Sequence, residues 1–499
     1  MAISFNNIPE TTRTPGAYLE VDNSRALKGL IQNPHKVLII GDKQSAAPAA
    51  YDTLYAISKD GLADGYFGPG SIAARMCNIF KQNNPNTELY AMVIGSGIAG
   101  VQASATIDIS AAMIEDEASG VGTYCLMING TGFDIPIASN MSGQGICSLI
   151  VATIDPYSQL PVVASVALGT VYFSAVCSGS QGNYINIRHN YYAGQSIPSA
   201  IFSAEPVIVS MADGTLEPDL GDAWAIIGGE QFHYIIQPWV TPANLKEIED
   251  ELADRFLPLE DLQGHGFTAM KTSGIGSATT LGNSRNSPHN TIIPFDDSPS
   301  APEEWAAALG AVAAAKLNDD PARPLHFLPL KGILPPPVDR RFIQSERETL
   351  LYDGMATWIV DSGGNVLIKR CITTYQKNAL GLADPSYLDV QTLATLGEIR
   401  YQYKARMANR FLIPRFKLAD DTFPVQPGSW VVTPKTIKAE TIALFTQLRD
   451  AGLIENLDEF IENLVVERDA TDVNRVNVLL PPDLINQFRV LAGVIQFIL

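Results

Sequence analysis

At 499 residues the chain is too long for one core, and two to four domains are the expectation. Apolar residues make up 46% and charged residues only 17%, which excludes a disordered chain. The net charge of −19 excludes a general nucleic-acid coat, because phosphate binding needs basic surface.

The low charge count points to surface covered by other subunits. No apolar run is long enough to cross a bilayer, so no membrane insertion is expected. The first ten residues lack the basic and apolar regions of a signal peptide. The five cysteines (Cys77, Cys125, Cys147, Cys177 and Cys371) are odd in number and scattered, which fits reduced thiols made in a cytoplasm. The six histidines are scattered too, so zinc is not expected, and no cofactor is expected either.

Residues 1–24 read as an extended arm. Pro9, Pro15 and Gly16 interrupt any helix, and residues 17–22 alternate like a strand. Residues 25–96 form the first part of an α/β core: buried strands at 37–40 and 89–94 flank a helix at 71–81. From 97 to 204 Gly, Ser and Thr rise and short alternating runs replace helices, at 123–128, 133–137, 170–177 and 184–188. That pattern predicts an inserted all-β domain.

The α/β layer resumes over 205–345. A strand at 234–236 precedes a helix that Thr241-Pro242 starts, with Leu245, Ile248, Leu252 and Phe256 on one face. Ser300 and Glu303 suggest a capping box for an alanine-rich helix ending near Lys316. After Pro335-Pro336-Pro337 come two strand-like runs, 356–361 and 366–374, around Ser362-Gly363-Gly364-Asn365, a turn composition that predicts a β-hairpin. A long helix follows over 387–411, another starts at Thr433-Pro434 and stops at Gly452, and short strands lie at 464–467 and 475–480. The last residues, Val490, Leu491 and 494–499, form an apolar run, a hazard unless another strand covers it.

Gly95-Ser96-Gly97-Ile98-Ala99-Gly100 fits GxGxxG after a strand, the one pattern suggesting a dinucleotide-dependent oxidoreductase. A helix should start at the glycines, but residues 103–109 alternate like a strand, so the run reads as a junction into the insertion. His265, between two glycines, reads as a turn residue. No GxSxG accompanies it, and Ser273 and Ser277 lack a nucleophile context. Asp339, Glu346, Glu348 and Asp353 lie among Arg340, Arg341 and Arg347, which predicts an ion-pair network rather than acid–base chemistry. Arg400, Lys404, Arg406 and Arg410 share helix stripes at four-residue spacing. They suit either an acidic partner or internal ion pairs.

Several stretches together resemble the tail sheath protein of Mu-type contractile-tailed bacteriophages. They are LGNSRNSPH at 281–289, LLYDG at 350–354, VDSGG at 360–364, ITTYQ at 372–376, VVTPKT at 431–436, and LLPPDL at 479–484 with NQFRV at 486–490. FNNIP at 5–9 and DNSRA at 22–26 are similar as well. The resemblance runs nearly end to end and is weakest in the insertion.

The resemblance implies a subtilisin-like α/β sheath core without protease activity, an outward-facing insertion at 97–204, a C-terminal inner sheath domain at 346–487 and arms at both ends. It implies a homo-oligomer, built as hexameric rings or a six-start helix around a tail tube protein. Baseplate and tail terminator proteins are further implied partners, with no direct nucleic acid, and the tail of the virion is the implied location. A non-contractile filament or tube protein is the alternative. Strand donation between subunits falls to Tyr18, Leu19 and Val21 in the first arm, and to Val490, Leu491, Val494, Ile495 and Phe497 in the second, residues 488–499. The hairpin at 355–374, with Trp358, Val360, Val366, Ile368 and Ile372, is the expected acceptor. The stripe from Arg400 is the expected contact to the tube or to a neighbouring subunit.

Overall fold

The structure, a computed structural model, describes residues 16, 30–95, 100–426 and 428–498. The chain divides into two compact units, Pro34–Gly397 with Asn486–Leu499, and Met1–Asn33 with Glu398–Ile485.

The larger unit is built on a six-stranded sheet. It opens with β1 (Lys36–Gly41), β2 (Tyr55–Ala56), α1 (Leu62–Phe67), α2 (Ile72–Asn83) and β3 (Glu88–Val93). Ser71 caps α2, its Oγ accepting from Ala74 N at 3.3 Å.

The insertion contributes β4 (Ser104–Asp108), β5 (Gly122–Ile128), β6 (Thr131–Ile137), α3 (Gly143–Ile154), β7 (Val162–Ala167), β8 (Thr170–Ala175), β9 (Ile187–His189) and β10 (Val207–Ala212). Two sheets, ordered β10-β4-β8-β7 and β6-β5-β9, share a separate core around Tyr124, Ile135 and Phe173. The expectation of an all-β insertion is therefore corrected. α3 buries Ile146, Cys147, Ile150 and Ile154 in that core, and its β-branched residues weaken the helix signal in the sequence. Its sequence signal is the cap, Ser142 Oγ accepting from Gly145 N at 3.2 Å. The boundary at 204 also moves. β10 pairs with β4, and Thr215 N donates to Val101 O at 3.3 Å, so the insertion closes near residue 215.

The core resumes with α4 (Gly221–Ile227), β11 (Tyr234–Ile236), α5 (Pro242–Arg255), β12 (His265–Thr272), α6 (Gly276–Asn283), β13 (Asn290–Asp296) and α7 (Pro302–Asp319). The strand order is β13-β12-β11-β1-β3-β2, all parallel except β2. Both faces are covered, which is why the strands read as unbroken apolar runs. Val37 and Ile39 face the cluster built with α2 and α7, while Leu38 and Ile40 face the cluster built with α4 and α5. Gly310 lets α7 lie close to the sheet, since a Cβ there would come within 2.5 Å of Ile236 Cδ1.

The expected capping box is shifted by one residue. Glu304, not Glu303, reaches back, its Oε2 accepting from Ala301 N at 3.2 Å. Glu303 and Glu304 both pair with buried Arg75 of α2. Asn129 of the insertion donates to Glu304 Oε1 at 2.7 Å, which ties the insertion to the core.

Next come α8 (Gln344–Tyr352), β14 (Thr357–Val360), β15 (Val366–Arg370) and α9 (Val390–Met407). β14 and β15 form the expected antiparallel hairpin. Asp361 Oδ1 accepts from the Gly363 and Asn365 amides at 2.8 Å each, and Gly364 takes φ 82.

The smaller unit contains β16 (Lys417–Leu418), β17 (Val431–Val432), α10 (Pro434–Asp450), β18 (Ile454–Glu455), α11 (Leu457–Asn463), β19 (Val465–Arg468), β20 (Val476–Leu479) and β21 (Asp483–Leu484). Phe445 of α10 stacks on Phe460 of α11 with ring centroids 3.9 Å apart. α10 starts at Thr433-Pro434 and ends before Gly452, at φ 75, as the sequence predicts.

Candidate functional site

The three enzyme-like motifs take up structural positions. Gly95 has φ 92, residues 96–99 lie outside the described residues, and the chain continues into strand β4. A pyrophosphate site needs a helix N-terminus at that point. His265 does not sit on a turn. It begins the buried strand β12, with Nε2 2.8 Å from Thr291 Oγ1. The arginines after the triple proline make fewer ion pairs than expected. Arg341 Nε donates to Pro336 O at 2.9 Å, Arg347 donates to Phe342 O, and Glu346 Oε2 accepts from Ile343 N at 2.8 Å. Arg340 does pair with Asp339, at 3.7 Å.

One side of the hairpin is not the open edge that its composition suggests. Trp358, Val366, Ile368 and Ile372 are buried, and Val360 packs against the same core. The free side of β15 is taken by residues 327–330: Phe327 N donates to Ile368 O at 2.7 Å, Ile368 N to Leu328 O at 2.9 Å and Leu330 N to Val366 O at 2.9 Å. The chain thus pairs an irregular segment of its own along that side. The hairpin turns its apolar face inward because Trp358 fits between Trp305 and Phe342, with centroids at 5.3 and 5.9 Å.

A different pair of strands keeps its sides open. β19 and β20 pair only with each other among the described residues. Val465 and Leu479 face each other across the ribbon and are 45% and 60% exposed. The turn between them is firmly built, with Asp469 Oδ1 accepting from Thr471 N and Asp472 N at 2.8 and 2.9 Å. The Asp472 amide, then the Asn477 side chain and the Thr471 amide, hold the Asp469 carboxyl down at a pKa of about 2. A two-stranded ribbon with bare sides is the natural receiver of added strands. Its sequence signal is apolar residues at 465 and 479 facing solvent.

The C-terminal arm lies in the open. After Arg489 it forms no strand among the described residues, and Val490, Leu491, Val494, Ile495 and Phe497 are exposed, Ile495 by 93%. Tyr18, Leu19 and Val21 lie outside the described residues.

The basic stripe divides. Arg406 Nε lies 2.5 Å from Glu440 Oε1, and Arg410 Nε lies 3.8 Å from Glu440 Oε2, so Glu440 of α10 accounts for both. Arg400 is half-buried, and desolvation draws its pKa down, while Lys404 is exposed.

Four of the six histidines converge at the amino ends of the parallel strands. His35 precedes β1, His233 precedes β11, His265 opens β12 and His289 precedes β13. The His35 and His233 rings stack at 4.2 Å, and His233 Nδ1 accepts from Lys36 N at 3.2 Å. Burial pushes His35 down to about 4, His265 to about 3 and His233 to about 2. The sequence signal is a histidine at the start of four aliphatic runs, invisible until the strands are ordered in the sheet.

The family described as the phage tail sheath protein central domain matches residues 214–374, and the phage tail sheath C-terminal domain matches residues 383–498. The Mu-like prophage FluMu tail sheath protein of Haemophilus influenzae is 36% identical over 499 residues, covering 100% of both chains. The chain belongs to the phage tail sheath family. Its role is structural, as part of the tail sheath of a phage or prophage virion. Among solved structures, the sheath chain superposes on the sheath tail protein from Desulfitobacterium hafniense with TM-score 0.49 and 12% identity, over 95% of this chain and 97% of that one. It superposes on the helical sheath of the anti-feeding prophage in its contracted state with TM-score 0.47 and 10% identity, over 98% and 99%. The two family models and the full-length relative decide the family.

Proposed function

We propose that this sheath chain polymerises as hexameric rings or a six-start helix around an inner tail tube. When the baseplate is triggered, the sheath contracts and drives the tube through the host envelope. The α/β core is read as subtilisin-like and without protease activity, the insertion as outward-facing, and the tube, baseplate and tail terminator proteins as partners. The chain is made in the host cytoplasm before it enters the virion. Head-to-tail contacts that do not close on themselves generate such filaments.

The exposed apolar arm is the observation that carries this reading. Residues 490–498 are costly to leave in water, and donation to a neighbour's sheet covers them while adding directed backbone hydrogen bonds. The acceptor is the β19–β20 ribbon, because the hairpin at 355–374 already holds residues 327–330 along β15. Tyr18, Leu19 and Val21 donate from the first arm. The sequence contains no GxxxxGK[ST] run, so contraction draws on a metastable assembled state rather than on nucleotide hydrolysis. The basic stripe of Arg400, Lys404, Arg406 and Arg410 is assigned to the tube or to a neighbour, with Lys404 and Arg410 as its exposed members.

Leu479→Lys tests the acceptor. The residue is exposed, so the subunit should fold and melt as before, while tube formation in negative-stain micrographs should fall sharply. Tubes of normal length and number would place the acceptor elsewhere.

A further inference from the structure

The arm has a root as well as a tip. β21 holds the chain to β18 in the smaller unit, and Ile485 N donates to Leu453 O at 3.2 Å. At Asn486 the chain passes to the larger unit. There Arg489 Nη2 reaches Asp389 Oδ2 at 2.5 Å. Its Nε and Nη2 also donate to Gln487 Oε1, at 3.2 and 2.8 Å, which stiffens the approach. Asp389 is a shared carboxylate. Its Oδ1 lies 3.5 Å from Arg370 Nη2, at the end of β15.

The backbone of Asp389 is fixed on both sides. It bridges to Ile372 after the hairpin, Thr373 N donates to Leu388 O at 2.8 Å, and Thr392 N donates to Asp389 O at 3.0 Å at the start of α9. Arg370, Asp389, Gln487, Arg489 and Val490 line one cavity of about 370 Å³. Beyond that point the side chains of the arm are exposed, up to Ile498 at 100%.

We infer that Asp389 is the positioning residue that sets where and in which direction the C-terminal arm leaves the larger unit. This rests on the reading that the arm is donated to another copy. A donated strand must find its acceptor across a lattice of identical subunits. A root held by two guanidinium groups on one carboxylate narrows the directions that the arm samples, and so raises its effective concentration at the acceptor. The hairpin then serves as a mount for the arm rather than as a receiving edge: β15 ends in Arg370, and Ile372 aligns Asp389.

The test compares the full chain with D389N, D389E, R489Q and the D389N/R489Q double variant. Trypsin cuts after Arg489, so release of the terminal ten-residue peptide from the soluble chain, followed by mass spectrometry, reports how firmly the root is held. In D389N the release should rise about threefold to fivefold, the factor expected of a partly exposed pair, with D389E near the parent rate. Tube yield in micrographs should fall in D389N and in R489Q, and no further in the double variant, because both changes remove one interaction. Unchanged peptide release in D389N, normal tube yield despite faster release, or additive losses in the double variant would each overturn the assignment. If D389N lowers the melting temperature, R489Q on the exposed arm decides by tube yield alone. Truncation after Arg489 separates the two levels. Tubes that survive it refute arm donation, while the trypsin result still reports on the root.

Discussion

Acidification should weaken this protein between pH 7 and 5, before most carboxylates titrate, through the histidines at the amino ends of the parallel strands. His233 and His265 are buried and His35 is half-buried, with pKa values pushed down to about 2, 3 and 4. A proton on His233 would sit against the Lys36 amide that its Nδ1 accepts from, beside the stacked His35 ring. A proton on His265 Nδ1 would meet no acceptor, since that atom is buried and unpartnered. All three folded-state values lie below the unfolded value, so the unfolded chain binds protons first. The stability that these groups contribute is complete above about pH 6.5 and is lost as pH falls toward 4.

From pH 7.5 to 5 each histidine kept neutral costs about 2 kcal/mol, so the two buried ones cost about 4, and His35 adds up to about 2 more. Asp42 runs the other way. Burial raises it to about 6, so it gains a proton in the folded state and returns about 1 kcal/mol. The net loss of about 3 to 5 kcal/mol is a large share of a typical folding stability. Urea unfolding of the soluble chain at pH 7.5 and 5, followed by tryptophan fluorescence, measures it. The His35→Phe/His233→Asn variant keeps a ring in the stack and an acceptor for Lys36 N, and should lose only about 1 kcal/mol over the same range. An equal loss in parent and variant would refute this account of the cluster.

Other substitutions probe separate parts of the account. Arg75→Met strands Glu303 and Glu304 in the core without a cation, and should cost about 3 to 5 kcal/mol in urea unfolding. Replacing residues 102–214 with a short Gly-Ser linker exploits the closeness of Val101 and Thr215. The product should stay soluble and still form tubes of smaller outer diameter in micrographs. Arg406→Glu should destabilise the smaller unit by about 1 kcal/mol in thermal melting, and the exchange Arg406→Glu/Glu440→Arg should restore it, as expected of an internal ion pair.

Legibility in the sequence followed the range of the interactions. β1 and β3 could be read because both faces are covered, so every residue of VLII and most of LYAMVI are apolar. The hairpin could be read because its turn is local, with Asp361 and Asn365 closing it over five residues. Its role could not, because residues 327–330, which occupy β15, lie in an irregular stretch with no strand periodicity. α3 was hidden by β-branched residues whose helical state is decided by packing against β6, β7 and β8. The partner of Arg406 lay on another helix, so four-residue spacing alone left its two readings open. The apolar arm was plain in the sequence, but its root at Asp389 needed the fold to bring the two regions together.

In the proposed assembly, the exposed C-terminal arm builds the sheath by pairing with other copies. Negative-stain micrographs of the concentrated full chain, beside a truncation ending at Arg489 that keeps its pair with Asp389, test this pairing. Wide hollow tubes are expected from the full chain, and soluble monomers with an unchanged melting temperature from the truncation. Hollow tubes of the same diameter from the truncated chain would contradict it.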